Sequence, residues 1–174
     1  MKKLILSLVA LVSVTGFSLA QKTAYVDLDY ILANVPEYKK AQDELDKIAA
    51  QWQKEIELKF AEVDKLYKAF QAEEILLTDD MKKKREAEIV SKEKEAKELQ
   101  KQRFGVDGDL FKKRQEMVKP IQDKVYNAIK ALCEKEQIMI MFNKSADMNI
   151  LYSNAKYDRS DAVLESMGYK PGAK

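Results

Sequence analysis

The chain has 174 residues, 31 Lys and Arg against 29 Asp and Glu, five glycines, one cysteine and no histidine. Without histidine there is no Ser/His/Asp or Cys/His relay, and the commonest metal ligand is missing. A single cysteine builds no intramolecular disulfide framework, five glycines leave no phosphate-cradling loop, and the near-balanced charge gives no general footprint on nucleic-acid phosphates.

The chain opens Met-Lys-Lys, runs apolar from Leu4 to Val14 and relaxes into "TGFSLA", with Ser18 and Ala20 as small residues before a cut. This is the layout of a secretory signal peptide over 1–20, cleaved after Ala20. Its apolar core is far short of the roughly 20 residues a spanning helix needs. No cysteine follows Ala20, so a lipid-anchored form is not expected. Cleavage removes Lys2 and Lys3, which brings the basic residues from 31 to 29, equal to the acidic ones, and the net charge from +2 to zero.

"AYVDL" (Ala24 to Leu28) reads as a first strand. From Glu37 to Gln137 proline and glycine are scarce, while Lys, Glu, Gln, Ala and Leu, all good helix formers, dominate. Two long helices joined near "LLTDD" are predicted. The first starts around Pro36, which suits a first helical turn, and ends near Leu77. Its seam is Ala41, Leu45, Ile48, Trp52, Ile56, Val63, Leu66 and Phe70, with Lys59 as the one polar interruption. Thr78 with Asp79 and Asp80 opens the second helix, since a hydroxyl caps free amides and acids favour the positive helix end.

The second helix carries a seven-residue stripe: Val90, Lys97, Phe104, Phe111, Val118, Val125 and Leu132. The companion positions three residues on, Glu93, Gln100, Asp107, Arg114, Ile121 and Ala128, are polar in the first half and apolar in the second. The hairpin seam is therefore full near its base and thin near its tip. "RFGVDGDLF" (Arg103 to Phe111) places Gly105 and Gly108 inside this helix, each costing roughly 1 kcal/mol relative to alanine. They form a soft joint where the seam is already thin, and Pro120 adds a kink. Cys133 lies on the apolar stripe and is expected to be a buried thiol. The run "KKKRE" (Lys82 to Glu86) sits among acids and reads as solvated helix surface paired at three or four residues' spacing.

"IMIMF" (Ile138 to Phe142) and "NILYS" (Asn149 to Ser153), separated by "NKSADM", read as a strand hairpin. "DRSDAVLESMG" makes a closing helix with Asp158 or Ser160 as cap and Gly168 as stop. Three short strands and one small helix bury little alone, so their apolar load points to self-association that closes the sheet edges. The fold class is mainly α with a small β body: a long antiparallel helical hairpin, the coiled-coil arm, projecting from a short-stranded oligomerisation body. The arm covers 36–118 with its tip near 76–81. The body comprises 21–35 and 119–174, including the arm base and closing helix. Its oligomer-core candidates are Tyr25, Val26, Leu28, Ile138, Ile140, Phe142, Ile150, Leu151 and Tyr152.

Three stretches, "KTAYVDLDYILANVPEYKKAQDELD", "KPIQDKVYNAIKALCEKEQIMIMFNKS" and "NILYSNAKYDRSDAVLESMG", resemble the Skp/OmpH family of periplasmic chaperones, and the resemblance covers nearly the whole mature chain. It implies a homotrimer with helical arms around a cavity, which holds unfolded outer-membrane proteins in the periplasm without ATP. Well-known members are distinctly basic and this mature chain is neutral, so no lipopolysaccharide site is carried over. Transient contact with the membrane surface or lipopolysaccharide stays open as a partner class.

Candidate client contacts are the arm residues Phe60, Tyr67, Phe70, Leu76, Leu77, Met81, Ile89 and Phe104, and the hinge candidates are Gly105, Gly108 and Pro120. Most of the arm's apolar residues are equally suited to packing on the partner helix. Asp27 and Asp29 alternate on a predicted strand start with no partner base or nucleophile, so no enzyme, catalytic residue, cofactor or metal is expected. The competing reading is a coiled-coil envelope spacer or adaptor that binds one specific folded partner. A spacer would favour a full apolar seam over the thin one here.

Overall fold

The computed structural model describes residues 22–144 and 150–172. The expected signal peptide, Asn149 and most of the "NKSADM" link lie outside the described residues. In chain order the elements are β1 (Lys22–Val26), α1 (Leu28–Ala33), α2 (Pro36–Glu73), α3 (Asp79–Phe104), α4 (Asp109–Glu136), β2 (Ile138–Asn143) and α5 (Ser160–Ser166). Short 3₁₀ turns occupy Glu74–Leu76 and Ala155–Tyr157. By packing the chain divides into a helical unit, Leu32–Val125, and a unit made of the two chain ends, through Ile31 and from Tyr126 onward.

In the helical unit, α2 has proline in its first turn and runs 38 residues, about 57 Å at 1.5 Å per residue. Ala41, Leu45 and Ile56 are buried on the expected seam, and Ile48, Trp52, Lys59, Val63, Leu66 and Phe70 are half-buried along it. The helix ends at Glu73 rather than near Leu77, because the last turn tightens to 3₁₀ geometry before the chain extends at Leu77. Thr78 caps α3, its Oγ1 accepting from the Met81 amide at 3.4 Å. Ion pairs Arg85–Glu73 (3.9 Å), Lys92–Glu62 (3.7 Å) and Arg103–Glu55 (3.7 Å) link the two helices. Partner numbers fall on α2 as they rise on α3, so the pair is antiparallel.

Two expectations for the returning helix are corrected. The inward line of α3 is Ile89, Lys92, Ala96, Leu99 and Arg103, with Ala96 fully buried, whereas Val90, Lys97 and Phe104 are exposed. The line one residue earlier wins because it aligns Ile89, Ala96 and Leu99 and is polar only at Lys92 and Arg103, while the other carries Glu93, Lys97 and Gln100 in succession between Val90 and Phe104. Beyond the joint, Val118, Val125 and Leu132 are buried as expected, whereas Phe111 of the same stripe is exposed. The helix is also not continuous: Gly105 turns extended (ψ 171°) and ends α3, and α4 restarts at Asp109. A Cβ on Gly105 would collide with the Lys101 carbonyl oxygen, and one on Gly108 would lie 2.8 Å from that of Gln102. Pro120 sits inside α4 without ending it.

In the unit of chain ends, β1 and β2 pair in parallel, with Thr23 opposite Ile140 and Tyr25 opposite Phe142. Among the described residues the expected hairpin between Ile138–Phe142 and the "NILYS" segment is not formed, and Ile150 to Ser153 carry no strand. On its other side β1 meets the segment before α5, where the Arg159 amide donates to the Tyr25 carbonyl at 2.9 Å. β1 is thus flanked on both sides, which buries Ala24, Tyr25 and Val26 in succession. Leu28 belongs to α1 rather than to the strand. Asp27 begins that helix: its Oδ1 accepts from the Tyr30 amide at 2.9 Å.

The N-cap position of α5 falls on Arg159, whose side chain makes no cap bond, rather than on either expected cap, Asp158 or Ser160, which flank it and bond one another. Asp158 Oδ1 accepts from the Ser160 amide (2.9 Å) and hydroxyl (2.6 Å), and Ser160 Oγ accepts from the Asp27 amide at 2.9 Å. At the far end Gly168 takes φ 84°, its amide bonding Glu165 and the Tyr169 amide bonding Leu164. This is the Schellman arrangement that glycine permits. Gln137, between α4 and β2, also lies in the left-handed region (φ 56°), a conformation that costs a residue with a Cβ about 1–2 kcal/mol. Gln137→Gly is therefore expected to raise the unfolding free energy obtained by urea titration, by about 0.5–1 kcal/mol after the added unfolded-state freedom is offset. Leu164→Ala, at a fully buried position, is expected to lose about 2–5 kcal/mol in the same titration.

Candidate functional site

Toward the turn, α2 places Phe60, Val63, Tyr67 and Phe70 at spacings of three and four, hence on one face. With Ile89 and Val90 of α3 they line an open groove of about 630 Å³, and Asp64, Glu86 and Glu93 form its polar lip. Opposite the aromatic rings α3 offers only Ile89 and Val90 as apolar side chains, flanked by Glu86 and Glu93, so among the described residues the space stays open. Tyr67 is 50% exposed and Val90 62% exposed. Asp64 is paired with Lys68 and Glu93 with Lys97, each at 2.6 Å. The lip is therefore largely charge-neutral, while the floor is aromatic and aliphatic.

Of the sequence candidates, the structure brings Phe60, Tyr67, Phe70 and Ile89 together in this groove. Leu76 and Met81 are exposed at the turn and Leu77 is half-buried there, outside the groove. Phe104 packs edge-on against Trp52, with ring centroids 6.4 Å apart. Val63 and Val90 belong to the groove, though sequence reading placed them on helix seams. The spacing of Val63 between Phe60 and Tyr67 was the available signal. Ile75, 95% exposed beside Leu76, had no such signal, since a turn has no periodicity.

The helix break that separates α3 from α4 is crossed by Arg103. Its guanidinium lies 4.6 Å over the Trp52 ring. It pairs with Asp109 at 2.7 Å and with Glu55 at 3.7 Å, so one side chain of α3 contacts both α2 and α4. Within the basic run at the start of α3, Arg85 pairs with Glu88 three residues on and with Glu73 across the hairpin.

In the other unit, Tyr25, Val26 and Ile138 are buried within the chain's own core. Leu28 and Ile150 are half-buried, and Ile140, Phe142, Leu151 and Tyr152 are exposed, as is Met139. A second apolar cavity, about 450 Å³, is lined by Tyr25, Phe142, Ile150, Tyr152 and Tyr157. Cys133 is half-buried rather than buried, and its thiol pKa is pushed up by burial first, then by Glu136 and Glu134. Among the described residues no cluster of acids and cysteine is placed to hold a metal, and no helix is long and apolar enough to cross a membrane.

A family described as "Outer membrane protein (OmpH-like)" matches residues 22–167, and the chain belongs to that family. The resemblance read from the strand and helix motifs at the two chain ends is thereby borne out. The fold is shared with the crystal structure of a candidate OmpH-like outer membrane chaperone from Caulobacter crescentus CB15. The TM-score is 0.66 at 16% identity, over 87% of this chain and 86% of that one. At that identity the likeness is one of fold. No curated protein matches the chain.

Because the thiolate is the reactive form, a raised pKa leaves less of it at pH 8. Iodoacetamide is expected to alkylate Cys133 of the folded chain several-fold more slowly than that of the urea-unfolded chain, with the gap closing as pH rises above the ordinary thiol range. Equal rates at pH 8 would contradict the assigned environment.

Proposed function

We propose that this chain is a non-enzymatic, ATP-independent periplasmic holdase. In this reading a homotrimer takes unfolded outer-membrane β-barrel proteins into the cavity between its arms and prevents their aggregation before membrane insertion. The observation that carries the reading is the open groove of Phe60, Val63, Tyr67, Phe70, Ile89 and Val90. A helical hairpin serving only as a spacer would close its aromatic residues against the partner helix, and this one leaves them accessible beside a lip of paired charges. Membership of the OmpH-like family supports the assignment, as does the chaperone description of the Caulobacter protein that shares the fold. The exposed Ile140, Phe142, Leu151 and Tyr152 support self-association through the strand-bearing unit, since apolar surface of this kind is usually covered.

The physical logic is that of many weak contacts. An unfolded barrel strand alternates apolar and polar residues and aggregates through its edges. A shallow apolar groove takes its side chains without demanding a sequence, and Met81 near the turn is adaptable in shape. Three grooves on one assembly raise effective concentration without any single contact being tight. Release then follows when folding in the membrane gives the client more than the grooves do.

Native mass spectrometry of the chain starting at Gln21, alone and after a urea-unfolded barrel is diluted into it, tests the reading. The expected result is a trimer that takes up one client with or without ATP. A monomer or dimer that ignores several unrelated clients would instead favour an adaptor for a single folded partner. Tyr67→Ser combined with Val90→Ser removes groove surface at exposed positions, where stability changes stay within about 0.5 kcal/mol per site. It is expected to weaken client binding about tenfold, or ~1.4 kcal/mol, in a fluorescence titration.

A further inference from the structure

We propose that Arg103 is a releasable pin that fixes the joint between α3 and α4, and that its release sets how far the hairpin yields to a bulky client. The joint is built rather than merely weak. Gly105 donates to the Lys101 carbonyl at 2.8 Å, Gly108 donates to the Gly105 carbonyl at 2.9 Å, and Lys112 donates to the Gly108 carbonyl at 3.1 Å. The backbone folds back so closely that a Cβ at either glycine meets a carbonyl oxygen. Glycine allows this turn but does not choose it, because glycine equally allows many others.

Arg103 selects the turn. It is the last residue but one of α3, and its guanidinium spans three elements at once. It stacks on Trp52 of α2 and reaches Glu55 one helical turn further along α2. It also pairs with Asp109, the first residue of α4. The next residue, Phe104, meets the same indole edge-on, so consecutive residues of α3 grip one ring. Only a planar fork supports stacking and two carboxylate contacts together. A lysine ammonium is a point charge and cannot replace it.

Two features make the pin releasable. Its Nε is buried with no hydrogen-bond partner among the described residues, so the closed state carries an unmet donor that opening restores to water. Its charged partners are reachable by solvent, the Arg103, Asp109 and Glu55 side chains being 24%, 26% and 45% exposed. Added salt therefore weakens it. A fully satisfied and dry arrangement would be a permanent staple.

Hydrogen–deuterium exchange of the full mature chain tests the pin without reference to clients. In Arg103→Gln, peptides covering 102–112 are expected to exchange at least tenfold faster, with less than twofold change over 40–50. Arg103→Lys is expected to loosen the joint as Gln does. Raising NaCl from about 0.05 M to 1 M is expected to speed exchange there in the wild type and not in Arg103→Gln. Unchanged exchange in Arg103→Gln, or full protection in Arg103→Lys, overturns the pin. Asp109→Asn, which leaves the Trp52 stack in place, serves as the milder variant should Arg103→Gln unfold, and protection equal to wild type in it overturns the pin as well.

The role in client size rests on the holdase reading and is read separately, as the ratio of affinities for a 16-stranded and an 8-stranded unfolded barrel. Arg103→Gln is expected to shift that ratio at least threefold toward the larger client. A loosened joint with an unchanged ratio overturns the size role while leaving the pin. Failure of the wild type to bind any client removes the holdase reading, and with it the size role, while exchange still decides the pin.

Discussion

The structure depends first on the flanking of β1. This five-residue strand has β2 hydrogen-bonded on one side and the Asp158–Arg159 segment on the other, and it supplies three consecutive buried residues. Because the pairing with β2 is parallel and places Thr23 beside Ile140, the intervening chain has to return to where it began. A parallel pair cannot be joined by a tight turn. The antiparallel pair of α2 and α3 lies within that connection and is held by contacts local to the helical unit.

Along the helices, apolar seam and charge pairing divide the task unequally. The cross-helix pairs of Arg85 and Lys92 are open to solvent on at least one side, and pairs of this kind contribute about 0–1 kcal/mol each. Register is therefore held mainly by Leu45, Ile56 and Ala96. Ala96 is informative because a methyl group leaves the helices close at one point. Where α3 presents Glu86 and Glu93 instead, the aromatic residues of α2 are left partly uncovered, and the groove results. Site and scaffold are thus the same seam at two levels of completeness.

Much of this was legible wherever a rule is local. Pro36, Thr78 and Gly168 each act where the sequence places them, because capping and termination depend on a few neighbouring residues. The α2 seam was legible because its apolar period is broken only at Lys59. The helix phase of α3 was not, since its mostly charged surface leaves two adjacent lines nearly equal and the partner helix decides. Strand pairing was misread for a related reason: a run such as "IMIMF" states that it is a strand but not which strand it meets. α1 went unread although Asp27 is an ordinary helix-starting residue, because six residues are too few to show a period. In the site, Phe60, Tyr67, Phe70 and Ile89 were visible as apolar residues on the arm. Arg103 was not, since an arginine in a charged helix looks like solvated surface until Trp52 and Asp109 are seen beside it.

The hydroxyl of Ser160, which links the Asp27 amide to the Asp158 carboxylate, also bears on the order of events during folding. Synthesis proceeds from the N-terminus, so β1 exists long before residues 138–160 that complete it. The hairpin between α2 and α3 closes over a short loop, whereas closing β1 onto its partners spans more than a hundred residues, with the slower kinetics that distant contacts impose. Until the last seventh of the chain has appeared, Ala24, Tyr25 and Val26 have no finished shelter. By its own topology, a nascent copy of this protein passes through the exposed-strand condition it is proposed to guard against in others.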